Sequence, residues 1–210
     1  FVLLTHAHID HSGLLPKLTR AGFKGAIYTT PATVDLLGVM LPDSAHIQES
    51  DAKRNAQRLR GKDALPPLYT LQDASDCLQQ VRGIEYDREF APRVGVRARF
   101  RDAGHILGSA IIEVWVTEHG YPTKLVFSGD LGQPGRPILR DPTPIEDADI
   151  LVIESTYGNR QHKDFSATEE EMVGIVEKTL FERGGNVIVP AFAVGRTQEV
   201  LYHLHRLTSE

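Results

Sequence analysis

One cysteine in 210 residues, Cys77, leaves nothing for an internal disulfide to pair with. That usage fits a reducing compartment. No apolar run is long enough to cross a bilayer. There is no block of single-sign charge and no low-complexity tract. The acidic excess is mild, with 28 Asp and Glu against 23 Lys and Arg and a formal net charge of −5. A sequence-indifferent DNA coater would be basic overall, so that class is disfavoured, although a local basic groove remains compatible. The remaining composition, 41% hydrophobic and 24% charged, is that of one globular domain, or one domain and a piece of another. An initiating methionine is also lacking. The chain opens on "FVLLT", a short apolar run that reads as a buried strand. A chain that begins inside a core strand is expected to be part of a longer one, and a leader segment is not excluded.

What is present alternates between strand and helix patterns. Ser12 to Ala21 reads as a helix stopped at Gly22. "AIYTT" (26–30) reads as a strand, and Pro31 opens a helix at its first turn. The polar stretch 44–60 is helix-prone, "GKDALPPL" is a loop, and residues 70–81 form a helix with Thr70 and Asp73 at capping spacing. "VRARFRDA" and "AIIEVWVTE" read as strands around "GHILGS", followed by the turn "HGYPTK" and the strand "LVFSG". "ILVIES" reads as a further buried strand and Ser166 to Glu182 as a helix. "NVIVPAF" reads as a strand, and Arg196 to Leu207 as the last helix. Parallel-type and hairpin-type connections together indicate an α/β protein.

Residues 5–13, "THAHIDHSG", put His6, His8, Asp10 and His11 within six positions. His6 and His8 lie at i, i+2, on one face of extended backbone. Neutral imidazoles suit zinc and similar ions, and a carboxylate can take a second ion or orient a water. Four such groups exceed what one tetrahedral ion needs from one loop, which points to two ions close together. Two further donors suit such a site. His105 sits in "DAGHILGSA", between two strand patterns. Asp130 ends the strand pattern "LVFSGD", beside Gly129 and Gly132, where a carboxylate can bridge two cations.

These motifs resemble those of the metallo-β-lactamase superfamily. "THAHIDH" is similar to its H-x-H-x-D-H signature, and "GHILGSA" and "SGDLG" to its later histidine and bridging-aspartate motifs, in the same order. "ADILVIESTYGNRQH" and "GGNVIVPAFAVGRTQEVL" resemble the β-CASP branch, whose members cut nucleic acid. "ESTYGNR" looks like the RNA-cutting members, the RNase J-like and polyadenylation-factor-like nucleases. The resemblance implies an αββα sandwich, here partial, over residues 1–182, and the start of a β-CASP cap over 183–210. It places further strands before "THAHIDH" and two further histidine motifs after Glu210.

The resemblance also implies a residue assignment. One ion takes His6, His8, His105 and a bridging Asp130. A second takes Asp10, His11, Asp130 and one of the downstream histidines. Both are zinc, with manganese admitted at one position, and a metal-activated hydroxide attacks the phosphodiester in line. Asp10 and Glu154 are the catalytic carboxylates, Glu154 orienting the water or a downstream proton donor. Beyond the resemblance, the residues of this stretch read equally two ways: Ser155, Thr156 and Gly158 as donors to a phosphate with Arg160 and Lys163 steering the backbone, or all of them as a polar surface loop. His46 and His162 read equally as structural residues, His119 has no role, and His203 and His205 read as surface residues of the last helix. The implied partner is single-stranded RNA, cut internally or from an end, in the cytoplasm, with no membrane and with a homodimer admitted. A hydrolase of small esters, thioesters or lactams on the same fold and a non-catalytic scaffold subunit are the rivals.

Residues 1–210 alone are expected to be nearly inactive even with zinc supplied. A second ion short of one ligand is misplaced, and about 1 Å costs on the order of a hundredfold. Loss of the proton donor removes about another hundredfold. Expressing this segment beside the full-length protein and comparing solubility, metal content and RNA cleavage tests this. RNA cleavage by the segment at the full-length rate would overturn it.

Overall fold

The computed structural model describes residues 1–59, 64–160 and 165–209, and the chain divides into two compact units, Phe1–Glu154 and Ser155–Glu210. In the first unit, strand β1 (Val2–Leu3) leads through two short helices, α1 (Ile9–Ser12) and α2 (Leu15–Arg20), to β2 (Ile27–Thr29). Helices α3 (Pro31–Arg58) and α4 (Leu71–Leu78) then carry the chain to β3 (Val81–Gly83). The three strands pair in parallel, in the order β1-β2-β3. Parallel strands need crossovers, and the helices supply them.

Alternation along these strands sorts two cores. Ile27 and Val81 face Leu37, Leu41, Ala45, Tyr69, Ala74 and Cys77 from the helices. Leu3 and Tyr28 face the other way, onto Phe100, Ala110, Ile112 and Val114 of a second sheet. That sheet has the order β4 (Phe90–Arg93), β5 (Val96–Asp102), β6 (Ala110–Glu118), β7 (Tyr121–Phe127) and β8 (Ile150–Val152). Its pairs are antiparallel except β7 with β8, which is parallel. One layer of helices and two facing sheets follow from this patterning.

Several sequence expectations are refined. Helix 12–21 splits in two at Gly13 and begins earlier, at Ile9. The separate helices expected after Pro31 and over 44–60 are one, running through Pro42, because Leu37, Leu41 and Ala45 continue a single buried stripe. The Thr70–Asp73 capping box forms in both directions. The turn after β6 needs only His119 and Gly120, both at positive φ, as in a type I′ hairpin. β8 was expected to be buried, but as the edge strand with β7 alone beside it, it leaves Leu151 56% exposed.

The second unit contains α5 (Phe165–Glu177), a single π turn at Lys178–Glu182 and α6 (Arg196–Ser209). The strand expected at 186–192 has no regular structure, for a strand needs a ladder partner and Ile188 and Phe192 stay exposed. Gln198 reaches back to the Gly195 N–H and caps α6. His203, expected at the surface, is buried: its Nδ1 lies 2.8 Å from Glu169 of α5, so the carboxylate gives it a partner inside the unit.

The outer face of the second sheet buries a charge. Glu113 on β6 lies 2.8 Å from Arg99 of β5 and 2.8 Å from Lys124 of β7. Burial by itself would raise its carboxyl, but the hydrogen bonds from Arg99 and Lys124 outweigh it and hold the group below its ordinary value of 4.5. A carboxyl depressed by folding contributes stability above that value and loses the contribution as pH falls through its folded one. Glu113→Gln is expected to destabilise the protein by about 3 kcal/mol at neutral pH and to flatten the loss of stability below pH 4.5. Urea unfolding at pH 7 and across the acid range measures both. A variant as stable as the parent at pH 7 would show that the buried charges contribute no net stability.

Candidate metal centre

Three loops at one end of the sheets carry the donors. The first follows β1 and holds His6, His8, Asp10 and His11, the last two inside α1. The second joins β5 to β6 and holds His105; the third follows β7 and holds Asp130. Each loop is stitched to its neighbours. The Ala110 N–H donates to the Thr5 carbonyl at 2.8 Å, and the Gly132 N–H to the Ala103 carbonyl at 2.8 Å. Ser12 Oγ donates to the Ala7 and His8 carbonyls and fixes the turn into α1.

Two glycines next to Asp130 have different roles. Gly129 takes φ +56 and packs on Thr5, so its turn needs the left-handed conformation. Gly132 is there for close approach: a Cβ on it would lie 1.6 Å from the Gly104 carbonyl oxygen. The sequence signalled both glycines as turn formers, whereas only the first is needed for its dihedral.

The donor atoms converge. His6 Nε2 lies 3.2 Å from His8 Nδ1, and His105 Nε2 lies 3.2 Å from the same atom. Asp130 Oδ2 is 3.7 Å from His6 Nε2 and 3.5 Å from His105 Nε2. All four donors fall within 4.8 Å of one another. A tetrahedral ion with bonds of about 2.0–2.1 Å has ligand-to-ligand edges of about 3.3 Å, so the set has the size of one coordination shell. Three imidazole nitrogens and one carboxylate oxygen are a zinc-type donor set. The residues therefore fit a divalent ion.

The other oxygen of Asp130 faces elsewhere. Oδ1 lies 3.3 Å from His11 Nε2, which is 3.6 Å from Asp10 Oδ2. One carboxylate thus touches two nitrogen groups, one through each oxygen.

Protonation agrees with this use. His6 is fully buried, and burial first, then His11, His105 and His8, lower it to about 3. Burial also lowers His105, with Asp130 pulling the other way and His8 adding to the drop. Both rings are neutral near pH 7 and offer lone pairs. The Thr5 hydroxyl, 3.1 Å from His6 Nδ1, can accept that nitrogen's proton and leave Nε2 free for the cluster. Thr5, Ser12 and Ser109 are parts of the site that sequence reasoning missed, because small hydroxyl residues carry no ligand signature.

Glu154 closes the first unit beside the third loop. Its Oε1 accepts from the Leu131 N–H at 2.7 Å, and its own N–H donates to Ser128 Oγ at 3.1 Å. The carboxylate therefore braces the residue after Asp130. Ser155, Thr156, Gly158 and Arg160 belong to the second unit, in an exposed turn where the Gly158 N–H meets the Ser155 carbonyl and Arg160 stacks on Tyr157 at 4.6 Å. Lys163 and His162 lie outside the described residues. His46 is exposed on α3.

Comparison with known proteins decides the family. The model of the metallo-β-lactamase superfamily matches residues 1–171. The chain belongs to the metallo-β-lactamase superfamily. Among superfamily relatives, Ribonuclease TTHA0252 of Thermus thermophilus is 39% identical over 210 residues, 98% of this chain and 44% of that protein. Transcription termination factor FttA of Pyrococcus abyssi is 35% identical over 206 residues, 95% of this chain and 29% of that protein. An RNase J-like protein of Methanocaldococcus jannaschii is 32% identical over 203 residues, 95% of this chain and 42% of that protein. All three are of the β-CASP branch, which is the branch the motifs resemble. The chain spans less than half the length of each of these relatives.

Gly132→Ala is expected to push the second and third loops apart, lowering stability by about 3 kcal/mol and reducing bound metal. Gly38→Ala, in α3 with open space around it, is the control and should be neutral or slightly stabilising. Thermal melts and elemental analysis of both variants test the contact. Normal metal content in a stable Gly132→Ala protein would show that the loops tolerate separation.

Proposed function

We propose that this chain is the catalytic part of a ribonuclease that uses two divalent metal ions to hydrolyse RNA phosphodiester bonds. The observation that carries the reading is the Asp130 carboxylate, with Oδ2 toward His6 and His105 and Oδ1 toward His11. A residue so placed suits a bridge between two ions. His6, His8, His105 and Asp130 would hold the first ion, and Asp10, His11 and Asp130 the second. Zinc suits the imidazole-rich first site, and manganese is admitted at the second. When bound, the ions supply positive charge for the phosphoryl oxygens and make a water acidic enough to act near neutral pH.

The chain's own residues do the rest. His6 and His105 stay neutral, so metal binding does not compete with their protonation near pH 7. Asp10, largely exposed beside His11, is placed to hold or turn a water. Glu154 braces Leu131 and thereby keeps the neighbouring Asp130 in register. Ser155, Thr156, Gly158 and Arg160 would contact the phosphate backbone. RNA as substrate rests on relatives named as a ribonuclease and an RNase J-like protein. Among the described residues no helix is long and apolar enough to cross a membrane, and a cytoplasmic site of action is proposed. The metallo-β-lactamase domain would span residues 1–182, with the β-CASP region beginning at Arg183.

His8→Ala should lose most bound metal by elemental analysis, because its Nδ1 faces both neighbouring rings. The full-length parent should cut single-stranded RNA in preference to duplex DNA at matched salt, and His8→Ala should cut neither by more than about a hundredth of the parent rate. Unchanged metal stoichiometry would remove the site. Cutting of DNA without RNA would reassign the substrate. Turnover of a lactam or thioester without nuclease activity would favour the small-molecule hydrolase.

A further inference from the structure

His105 is the one first-site histidine that does not come from the loop after β1, and its position depends on a turn that its own sheet does not hold alone. The turn, Gly104 to Ser109, is gripped by hydroxyls from the other sheet's side. Thr30, the cap residue of α3, donates to the Gly108 carbonyl at 2.6 Å, and Thr33 of α3 donates to the same oxygen at 2.9 Å. Both threonines are fully buried. Tyr86, beyond β3, donates its phenol proton to the Ser109 carbonyl at 2.8 Å. Ser109 Oγ in turn accepts from the His105 N–H at 3.0 Å and the Ile106 N–H at 3.2 Å.

The fit is close. Gly108 has φ +83, and a Cβ there would meet the Thr33 nitrogen at 2.6 Å. Each carbonyl receives two donors, matching its two lone pairs: Gly108 from two threonines, Ser109 from Tyr86 and from the Ala103 N–H at 3.1 Å. Burial, and then the Asp102 carboxylate, hold the Tyr86 phenol above its ordinary value, so it remains a proton donor. None of these three residues offers an atom to the metal-type donor set. A grip meant only to join the sheets could fall anywhere along them. This one falls on the Gly104–Ser109 turn that carries His105.

We propose that Thr33 and Tyr86 are positioning residues for the metal centre, their hydroxyls fixing the Gly104–Ser109 turn so that His105 meets the histidines of the first loop. The proposal rests on the metal reading given above. Hydroxyls that hold a ligand loop act on affinity through the ligand's placement, and loss of such outer contacts typically costs about 10–100-fold in metal binding.

The test uses the full-length metal-free protein with Zn2+ or Co2+ alone as probe. Tyr86→Phe, which removes one oxygen, and Thr33→Val, which removes one hydroxyl at nearly constant volume, should each weaken Zn2+ binding about tenfold in a chelator competition. Both should shift the visible absorption bands of the Co2+ form, which report ligand geometry. Thr33→Ser restores the hydroxyl and should return affinity and spectrum to those of the parent. A purely structural role would lower the melting temperature of the metal-free variants and leave the Co2+ spectrum and the Zn2+ affinity of the folded protein unchanged; that result overturns the proposal. Should Thr33→Val fail to fold, Tyr86→Phe decides by the same two readouts. A parent that binds neither ion fails the metal reading itself, which is distinct from a parent that binds and variants that bind equally.

Discussion

Ligand atoms of His6, His8, His105 and Asp130 crowd within 4.8 Å of one another. Such an arrangement is unfavourable by itself. Burial penalises any charge on His6 and His105, and the His6 ring is shielded from water among the other donors. A cation relieves all of them at once. The surrounding fold is therefore built to hold the donors together against their own preference. Its means are backbone hydrogen bonds between loops, a glycine that lets two loops nearly touch, and buried hydroxyls on carbonyls. Looser loops would let the side chains rotate apart toward solvent.

The two sheets divide the labour. The parallel sheet and its helices supply the loop with four candidate ligands, and the second, mixed sheet supplies one histidine and the aspartate that faces both groups. Strands are rigid and their ends are at defined depths, so ligands placed just beyond strand ends vary little in position. The buried Glu113 cluster on the far face keeps β5, β6 and β7 in register, which in turn holds the His105 and Asp130 loops at a constant spacing.

Much of this was legible in the residues. Clustered histidines have a chemical meaning whatever the fold, and His6, His8, His105 and Asp130 do meet. The capping box at Thr70 and the hairpin at His119–Gly120 were readable because their signals are local. The failures are of another kind. Whether "ILVIES" is covered or exposed depends on what flanks a sheet edge, which periodicity does not encode. The pairing of His203 with Glu169 joins residues on two helices and leaves no mark in either sequence. Thr30, Thr33 and Tyr86 were invisible for the same reason, since a hydroxyl on a distant carbonyl has no spacing rule. The purpose of Gly132 was misread because close approach and positive φ select the same residue.

His8 and His105 are 97 positions apart in the chain yet have nitrogens in contact. An ion held by both closes a loop of that length, as a covalent cross-link would. Loop-closure entropy grows slowly with length, but for so long a loop it is already several kcal/mol. Such an ion would brace the whole first unit and favour the folded chain by mass action. Assembly carries the matching cost. The four donors meet only when the loops after β1, between β5 and β6, and after β7 are all in place, so the complete set requires the folded unit. Without such an ion the first unit would lack that cross-brace and open more readily.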